Sequence, residues 1–262
     1  MNRNSIMTSK FKWQVSLVWL ALMIGFIWFI AKFDLDMDYV WQKLPFLAGL
    51  HLSPDGFIQG VPLTIYVCVI AMLASVILGL LAALGRLSLN PLAYGLSTFY
   101  TSFFRGTPLL LQVLLIYQGL PQIGPVPTAI PSGIIALALC YGAYLSEIFR
   151  SAIVVIDKGQ WEAAMALGLK KYQIFWKVIL PQSMKVAIPP SMAMFIAMLK
   201  DSSLVSVMGL WEIMFLAQSY GRSAYRYMEM LITAAVIYWI LSFILEMLQV
   251  RLEKIFHGGK TR

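Results

Sequence analysis

The sequence predicts an all-α membrane protein of about six transmembrane helices, with both termini in the cytoplasm. Three observations carry that reading. Of 262 residues, 60% are hydrophobic and only 12% are charged, about half the charged share of an ordinary soluble domain. The apolar residues fall in uncharged runs long enough to cross a bilayer, which takes about 20 helical residues. The basic residues gather at alternate ends of those runs, as expected where Lys and Arg stay on the cytoplasmic side. The net charge of +8 therefore reads as a topology signal, and no nucleic-acid partner is expected.

The first run, Trp13–Ala31, carries no charge and follows Arg3, Lys10 and Lys12. At ~1.5 Å per residue it reaches about 28 Å, enough for a span that starts inside. No small-residue cleavage pattern follows it, so it reads as a retained helix rather than a signal peptide. In the next segment, to Gly56, Asp34, Asp36, Asp38 and Asp55 outnumber Lys32 and Lys43, which suits an outer loop. The second run, Phe57–Gly85, ends inside at Arg86. Asn90-Pro91 marks a turn and the start of a third helix that extends to about Leu120. That helix carries Arg105 and an expected kink at Pro108. A Gly- and Pro-rich outer loop follows, then a fourth span over about Gly133–Phe149, with Glu147 and Arg150 at its inner end.

The fifth span is expected from about Val186, interrupted at Lys200-Asp201-Ser202-Ser203. A polar stretch to about Met228 reads as a re-entrant or interfacial element. The sixth span is expected over Glu229–Leu248, held inside by Arg251, Lys254, Lys260 and Arg262. Gly79, Gly85, Gly95 and Gly142 are expected at close helix contacts, and Trp13, Trp41, Trp211 and Trp239 include candidate interface anchors. Cys68 and Cys140 lie inside apolar runs and behave as small hydrophobes. His51 and His257 are far apart in the sequence, so no metal centre is expected.

The strongest inside signal is 151–185. Counting the flanking Arg150, it holds Lys158, Lys170, Lys171, Lys177 and Lys185 against Asp157 and Glu162. Asp157 can cap a helix beginning near Lys158, with Gln160 three positions on. Gln160–Leu167 is rich in helix formers, and Gly168 suits the left-handed position just past a helix end. A second short helix would open at Lys170-Lys171 and end at Pro181. The first helix offers small Ala163, Ala164 and Ala166 beside bulky Trp161, Met165 and Leu167. From pattern alone, an apolar face on a cytoplasmic loop fits either a protein partner or the lipid surface.

Here the residues resemble a family. Glu162-Ala163-Ala164, Gly168, Ile174-Phe175 and Leu180-Pro181 resemble the EAA loop of ATP-binding-cassette importer permeases. Phe104-Arg105-Gly106-Thr107-Pro108-Leu109-Leu110 with Gln112 and Tyr117 is similar to a segment of the polar amino-acid branch. Tyr144-Leu145 with Glu147–Ile153, and Leu199–Leu204, add two further blocks in the same order. The resemblance covers about 57–250 and implies a type I importer permease fold. It also implies that the EAA loop docks on an ATPase subunit, with Trp161, Glu162, Ala163, Ala164, Leu167 and Gly168 in the contact. The implied assembly is two nucleotide-binding ATPase subunits, a second permease (itself or a sister chain), and a periplasmic or lipid-anchored substrate-binding protein. It would sit in the bacterial cytoplasmic membrane and move polar amino acids.

On this reading 1–56 is an N-terminal extra helix with its acidic outer loop, 57–250 the permease core and 251–262 a basic tail. Gly258-Gly259-Lys260-Thr261 does not make a phosphate loop, because Lys254 stands where the first Gly is required and no helix can follow. The chain is therefore expected to need no cofactor and to be no enzyme in its own right. Arg105, Glu147, Lys200 and Asp201 are the charges expected at membrane depth, where each costs about 2.5–3.5 kcal/mol on insertion scales. They are candidates for the translocation pathway, and the bland alternative for each is an ion pair or a snorkelling side chain. The rival function is an ion-coupled secondary transporter working without an ATPase.

Overall fold

A computed structural model describes residues 9–33, 35–53 and 56–257. Every regular element among these is helical. The elements are α1 (Ser9–Ala31), α2 (Met37–Leu47), α3 (Gly60–Leu87), α4 (Pro91–Gly106), α5 (Leu109–Leu114), α6 (Ala129–Val154), α7 (Lys158–Ala166), α8 (Lys171–Ile174), α9 (Leu180–Asp201), α10 (Ile213–Ala224) and α11 (Tyr227–His257). Four helical stretches are long and apolar enough to span a bilayer: Gly60–Leu87, Ala129–Val154, Lys171–Met208 and Tyr227–Ile255. A fifth is the broken pair of α4 with the stretch from Leu109 to Ile123, bent by 107°. In α1 the apolar helix is the shorter Trp13–Phe29. Its side chains are mostly exposed, Trp13 and Leu22 by more than 60%, as expected of a helix clothed by lipid rather than by protein.

The centre of the molecule is the α3–α6 pair. A Cβ on Gly79 would stand 2.8 Å from the Leu145 Cβ and 3.1 Å from the Gly142 carbonyl oxygen. The helix backbones approach this closely because hydrogen replaces a side chain at the contact. The Ser75 hydroxyl crosses the seam to donate to the Ala138 carbonyl at 3.2 Å. Helix α4 lies on the same pair, and the Tyr100 hydroxyl donates to the Leu139 carbonyl at 2.7 Å. Gly85 and Gly142 also sit at tight contacts, against Ser97 and Tyr100 respectively. Gly95 does not, since nothing lies within 4 Å of its would-be Cβ.

The kink expected at Pro108 is a full break. Thr107 takes an extended conformation (φ −113°, ψ 145°), the region a residue before proline is forced towards. The Thr107 hydroxyl recovers the Phe103 carbonyl at 2.9 Å, and one further side chain serves the Phe104 and Thr107 carbonyls. The buried Gln112 amide donates to the Phe104 carbonyl at 2.9 Å, the Thr107 carbonyl at 3.1 Å and the Thr107 hydroxyl at 2.9 Å.

The fifth span differs from expectation at both ends. It does not start near Val186, and Pro181 ends nothing: helix continues from Lys171 through a π-helical turn, Phe175–Ile179, into α9. Pro181 stands directly after that π-helical turn, across which the Leu180 amide donates to the Phe175 carbonyl, and the helix passes it without ending. Lys200-Asp201 does not interrupt the helix either. The chain tightens there into a 3₁₀ stretch, Ser202–Met208.

The polar stretch that follows is α10, which climbs antiparallel along α11. Glu212 caps it. The carboxylate, only 1% exposed, accepts from the Met214 and Phe215 amides at 2.9 and 2.7 Å and from the Tyr238 hydroxyl at 2.8 Å. A buried carboxylate is tolerable when its lone pairs are taken up in this way. Trp211 is not an interface anchor: its ring lies tilted beside Phe215, with centres 5.7 Å apart, and packs against the core. Trp13, Trp41 and Trp239 are exposed, as such anchors would be. The final helix runs past Leu248 to His257. The Gly258–Thr261 sequence lies outside the described residues, as do Asp34, Asp55 and the last charges of the tail.

Helix α2 belongs to the same packed body. Leu47 is fully buried in one cluster with Ile213, Leu216, Ala217, Met230 and Ala234. The Arg226 guanidinium lies 3.3 Å from the Asp36 carboxylate, and the Tyr39 hydroxyl donates to the Tyr220 carbonyl at 2.9 Å. The segment from Asp36 through α2 is thus tied to the α10–α11 turn by charge as well as by apolar burial.

Candidate coupling loop and pathway face

The loop between α6 and α9 forms as its capping residues dictate. The Asp157 carboxylate accepts from the Gly159 amide at 2.6 Å and opens α7. Gly168 closes it in the left-handed region at φ +77°. The Gly168 amide donates to the Met165 carbonyl at 2.9 Å and the Leu169 amide to the Ala164 carbonyl at 3.2 Å. That pair of bonds is the Schellman closure. The expected box with Gln160 is absent. The Gln160 side chain instead accepts from Gln182 at 3.1 Å, which ties α7 to the start of α9. A side-chain bond of the box type forms one helix later, where Gln173 accepts from the Lys170 amide at 2.9 Å.

The six residues expected in one contact surface divide between two faces. Ala164 is buried with Ile153, Ile174 and Ile179, and Trp161 and Leu169 pack on that cluster. These side chains hold the loop to the inner ends of α6 and α9. Glu162, Ala163, Leu167 and Gly168 point outward, and Leu167 is 81% exposed. Met165, 51% exposed, joins them. Helical spacing is the reason: Trp161 and Ala164 are one turn apart and share a side, while Glu162, Ala163 and Met165 turn away from it.

The charges expected at membrane depth collect along α6. Tyr141, Tyr144 and Glu147 recur every three residues and share one side of that helix. At one end the Tyr141 hydroxyl donates to the Asp201 carboxylate at 2.8 Å. The Tyr141 and Tyr144 rings are 6.1 Å apart. The Arg105 guanidinium lies over the Tyr144 ring, 5.5 Å from its centre, at cation–π range. Its terminal nitrogen is 3.7 Å from the Glu147 carboxylate. Glu147 also binds Arg86 at 2.5 Å and pairs with Arg150 on its own helix.

One carboxylate thus serves three guanidinium groups drawn from α3, α4 and α6, and the cluster keeps a surplus of positive charge. Beside it opens a cavity of about 450 Å³, lined by Arg86, Thr98, Thr101, Ser102, Arg105 and Tyr144. Lys200 is exposed next to Asp201. In the sequence Arg86 reads as a span end only, and Tyr141 has no assigned role. The available signal was the three-residue spacing of Tyr141, Tyr144 and Glu147. No group of three His, Cys, Asp or Glu side chains among the described residues is arranged to hold a metal. Cys68 and Cys140 are free and buried.

Residues 75–256 match the family described as the binding-protein-dependent transport system inner membrane component. The chain belongs to that family. It is 40% identical over 200 residues to the probable amino-acid permease protein YxeN of Bacillus subtilis, covering 75% of this chain and 89% of the relative. It is 39% identical over 223 residues to the L-cystine transport system permease protein TcyB of the same organism, covering 84% of this chain and 89% of the relative. In three dimensions it resembles an amino acid ABC transporter solved with histidines, with a TM-score of 0.73, 34% identity and coverage of 83% of this chain and 97% of that one.

Membership of that family, with several helices long and apolar enough to cross a bilayer, makes this permease a multi-pass protein of the bacterial inner membrane. It also favours a binding-protein-dependent importer over the ion-coupled alternative.

Proposed function

We propose that this permease moves polar amino acids inward. It would act as one of a permease pair, fed by a substrate-binding protein and driven by two ATPase subunits that dock on α7. The observation that carries the reading is the stripe on α6 that joins Asp201 to Arg105 through two tyrosines. A free amino acid presents a carboxylate and an ammonium at once. Arg105, with the positive surplus around Glu147, suits the carboxylate. Asp201 suits the ammonium, and the tyrosine rings between them offer an apolar body with polar tips. Both TcyB, named for cystine, and the transporter solved with histidines support an amino-acid cargo.

At the inner end, Glu162, Met165 and Leu167 project from a helix closed at both ends and pinned beneath by Trp161 and Ala164. A partner pressing on that surface moves α7 as a stiff unit, and the load passes to α6 and α9, which carry the stripe. Packed elements of this kind exchange between discrete arrangements, the behaviour alternating access requires.

The test uses the complete transporter in proteoliposomes. Glu162→Lys should weaken ATPase docking and abolish accumulation of labelled amino acid. Arg105→Gln should leave docking intact and impair transport. Normal assembly and normal uptake in both variants would overturn the reading, as would ATP-independent accumulation by the permease alone.

A further inference from the structure

The outer half of the molecule holds a polar cavity with no part in the coupling loop or the α6 stripe. Its volume is about 560 Å³, and Gln218, Ser219, Arg222 and Ser223 line it from α10, facing Ser206, Val207 and Gly209, with Phe215 at its edge. Most of these belong to one side of α10. The other side of that helix is apolar and fully buried, with Ile213, Leu216 and Ala217 packed towards α2 and α11. Two-sidedness of this kind says what each face meets. Hydrocarbon suits the cavity side poorly, because Gln218, Ser219, Arg222 and Ser223 would bring four polar side chains to it from one helix face.

The cavity also continues the stripe. Asp201 ends α9, and the 3₁₀ stretch Ser202–Met208 leads directly from it to Ser206 and Gly209 on the cavity wall. The chain rises about 2 Å per residue in such a stretch, so the two sites are about 10 Å apart along it. From the inner end outward the polar groups therefore run Glu147, Arg105, Tyr144, Tyr141, Asp201, Ser206, Gln218 and Arg222. Arg222 uses one N–H to donate to the Tyr227 hydroxyl at 3.2 Å. Its guanidinium carries five such donors, and its planar fork matches a carboxylate.

We infer that this cavity is an aqueous outer vestibule of the pathway, in which Arg222, with Gln218 and Ser219 beside it, first receives the carboxylate end of the incoming amino acid. The inference rests on the transport reading above, and its test separates the two.

Cys68 and Cys140 are buried, at 0% and 4% exposure, so single cysteines can be added without removing them. In the assembled transporter, Gln218→Cys and Ser223→Cys should react with a membrane-impermeant maleimide applied from outside. Ile244→Cys, exposed on α11, should stay unlabelled as a lipid-facing control. Failure of both α10 cysteines to react, with or without nucleotide, would overturn the vestibule whatever the protein transports.

For Arg222, wild type is first tested with radiolabelled arginine, glutamine, histidine and cystine, and the best-accumulated one is kept. Arg222→Gln should then raise the half-saturating concentration about tenfold, with ATPase stimulation by the binding protein unchanged, and Arg222→Lys should recover most of the loss. An unchanged half-saturation overturns the role given to Arg222. So does a loss of binding-protein stimulation alone, which would make this arginine a docking contact. If wild type accumulates none of the four, the transport reading fails, while the labelling result still decides whether the vestibule exists.

Discussion

The Tyr141 hydroxyl donates to the Asp201 carboxylate across the α6–α9 seam at 2.8 Å. Tyr141 is 3% exposed, while Asp201 faces open space. A buried tyrosine therefore aims an accessible carboxylate. Tyr141→Phe removes the donor and little volume. Hydrogen bonds to charged groups are worth about 1.5–3 kcal/mol, so half-saturation for transport should rise roughly tenfold or more while the ATPase complex still assembles. The measurement is uptake against concentration in proteoliposomes, and a curve superposed on wild type would remove Tyr141 from the site.

Glu147 ties α3, α4 and α6 through Arg86, Arg105 and Arg150. Each pair is partly exposed and modest, at about 0–1 kcal/mol, but losing the shared carboxylate leaves three like charges facing one another. Glu147→Gln should lower the unfolding temperature of the detergent-solubilised permease more than Arg86→Gln does. The double variant should recover part of the loss, because it relieves that repulsion. Additive losses would show that the cluster does not act as a unit.

Two glycines of similar sequence appearance should behave in opposite ways. At Gly79 a methyl group meets the Leu145 Cβ at 2.8 Å, so Gly79→Ala must push α3 away from α6. Overpacking of this kind costs about 1–3 kcal/mol. At Gly95 there is nothing within 4 Å, and Gly95→Ala should be neutral or stabilising by up to about 1 kcal/mol. Thermal unfolding of the two variants side by side decides the matter.

Gln112→Ala should cost about 1–3 kcal/mol, because the carbonyls of Phe104 and Thr107 lose their shared donor inside the protein. Gln112→Glu should be no rescue, since a carboxylate cannot donate to them. Comparable stability of Gln112→Ala and wild type in a thermal melt would show that water replaces the amide.

Much of the site was legible residue by residue. Asp157 and Gly168 closed α7 as their types demand, because capping is a local matter of one side chain or one φ angle. Glu147 and Arg150 paired as their spacing allows. What sequence spacing concealed was which side of α7 faces inward. Trp161 and Ala164 turn to the protein because Ile174 and Ile179 come back beneath them from further along the chain. The start of the fifth span is hidden for a related reason: Pro181 signals a stop in the sequence, but the π-helical turn just before it carries the helix past.

The sequence by itself determined that this is a helical membrane protein, and where the short helices around Asp157–Gly168 begin and end. Those properties follow from hydropathy and local backbone preference, both of which act over a few residues. Only the tertiary structure decided that Arg105 and Asp201 belong to one polar track and that α10 turns arginine and serine towards a cavity. Residues far apart in the chain become neighbours when Gly79 and Gly142 let α3 and α6 close on each other, and no short-range pattern encodes that contact.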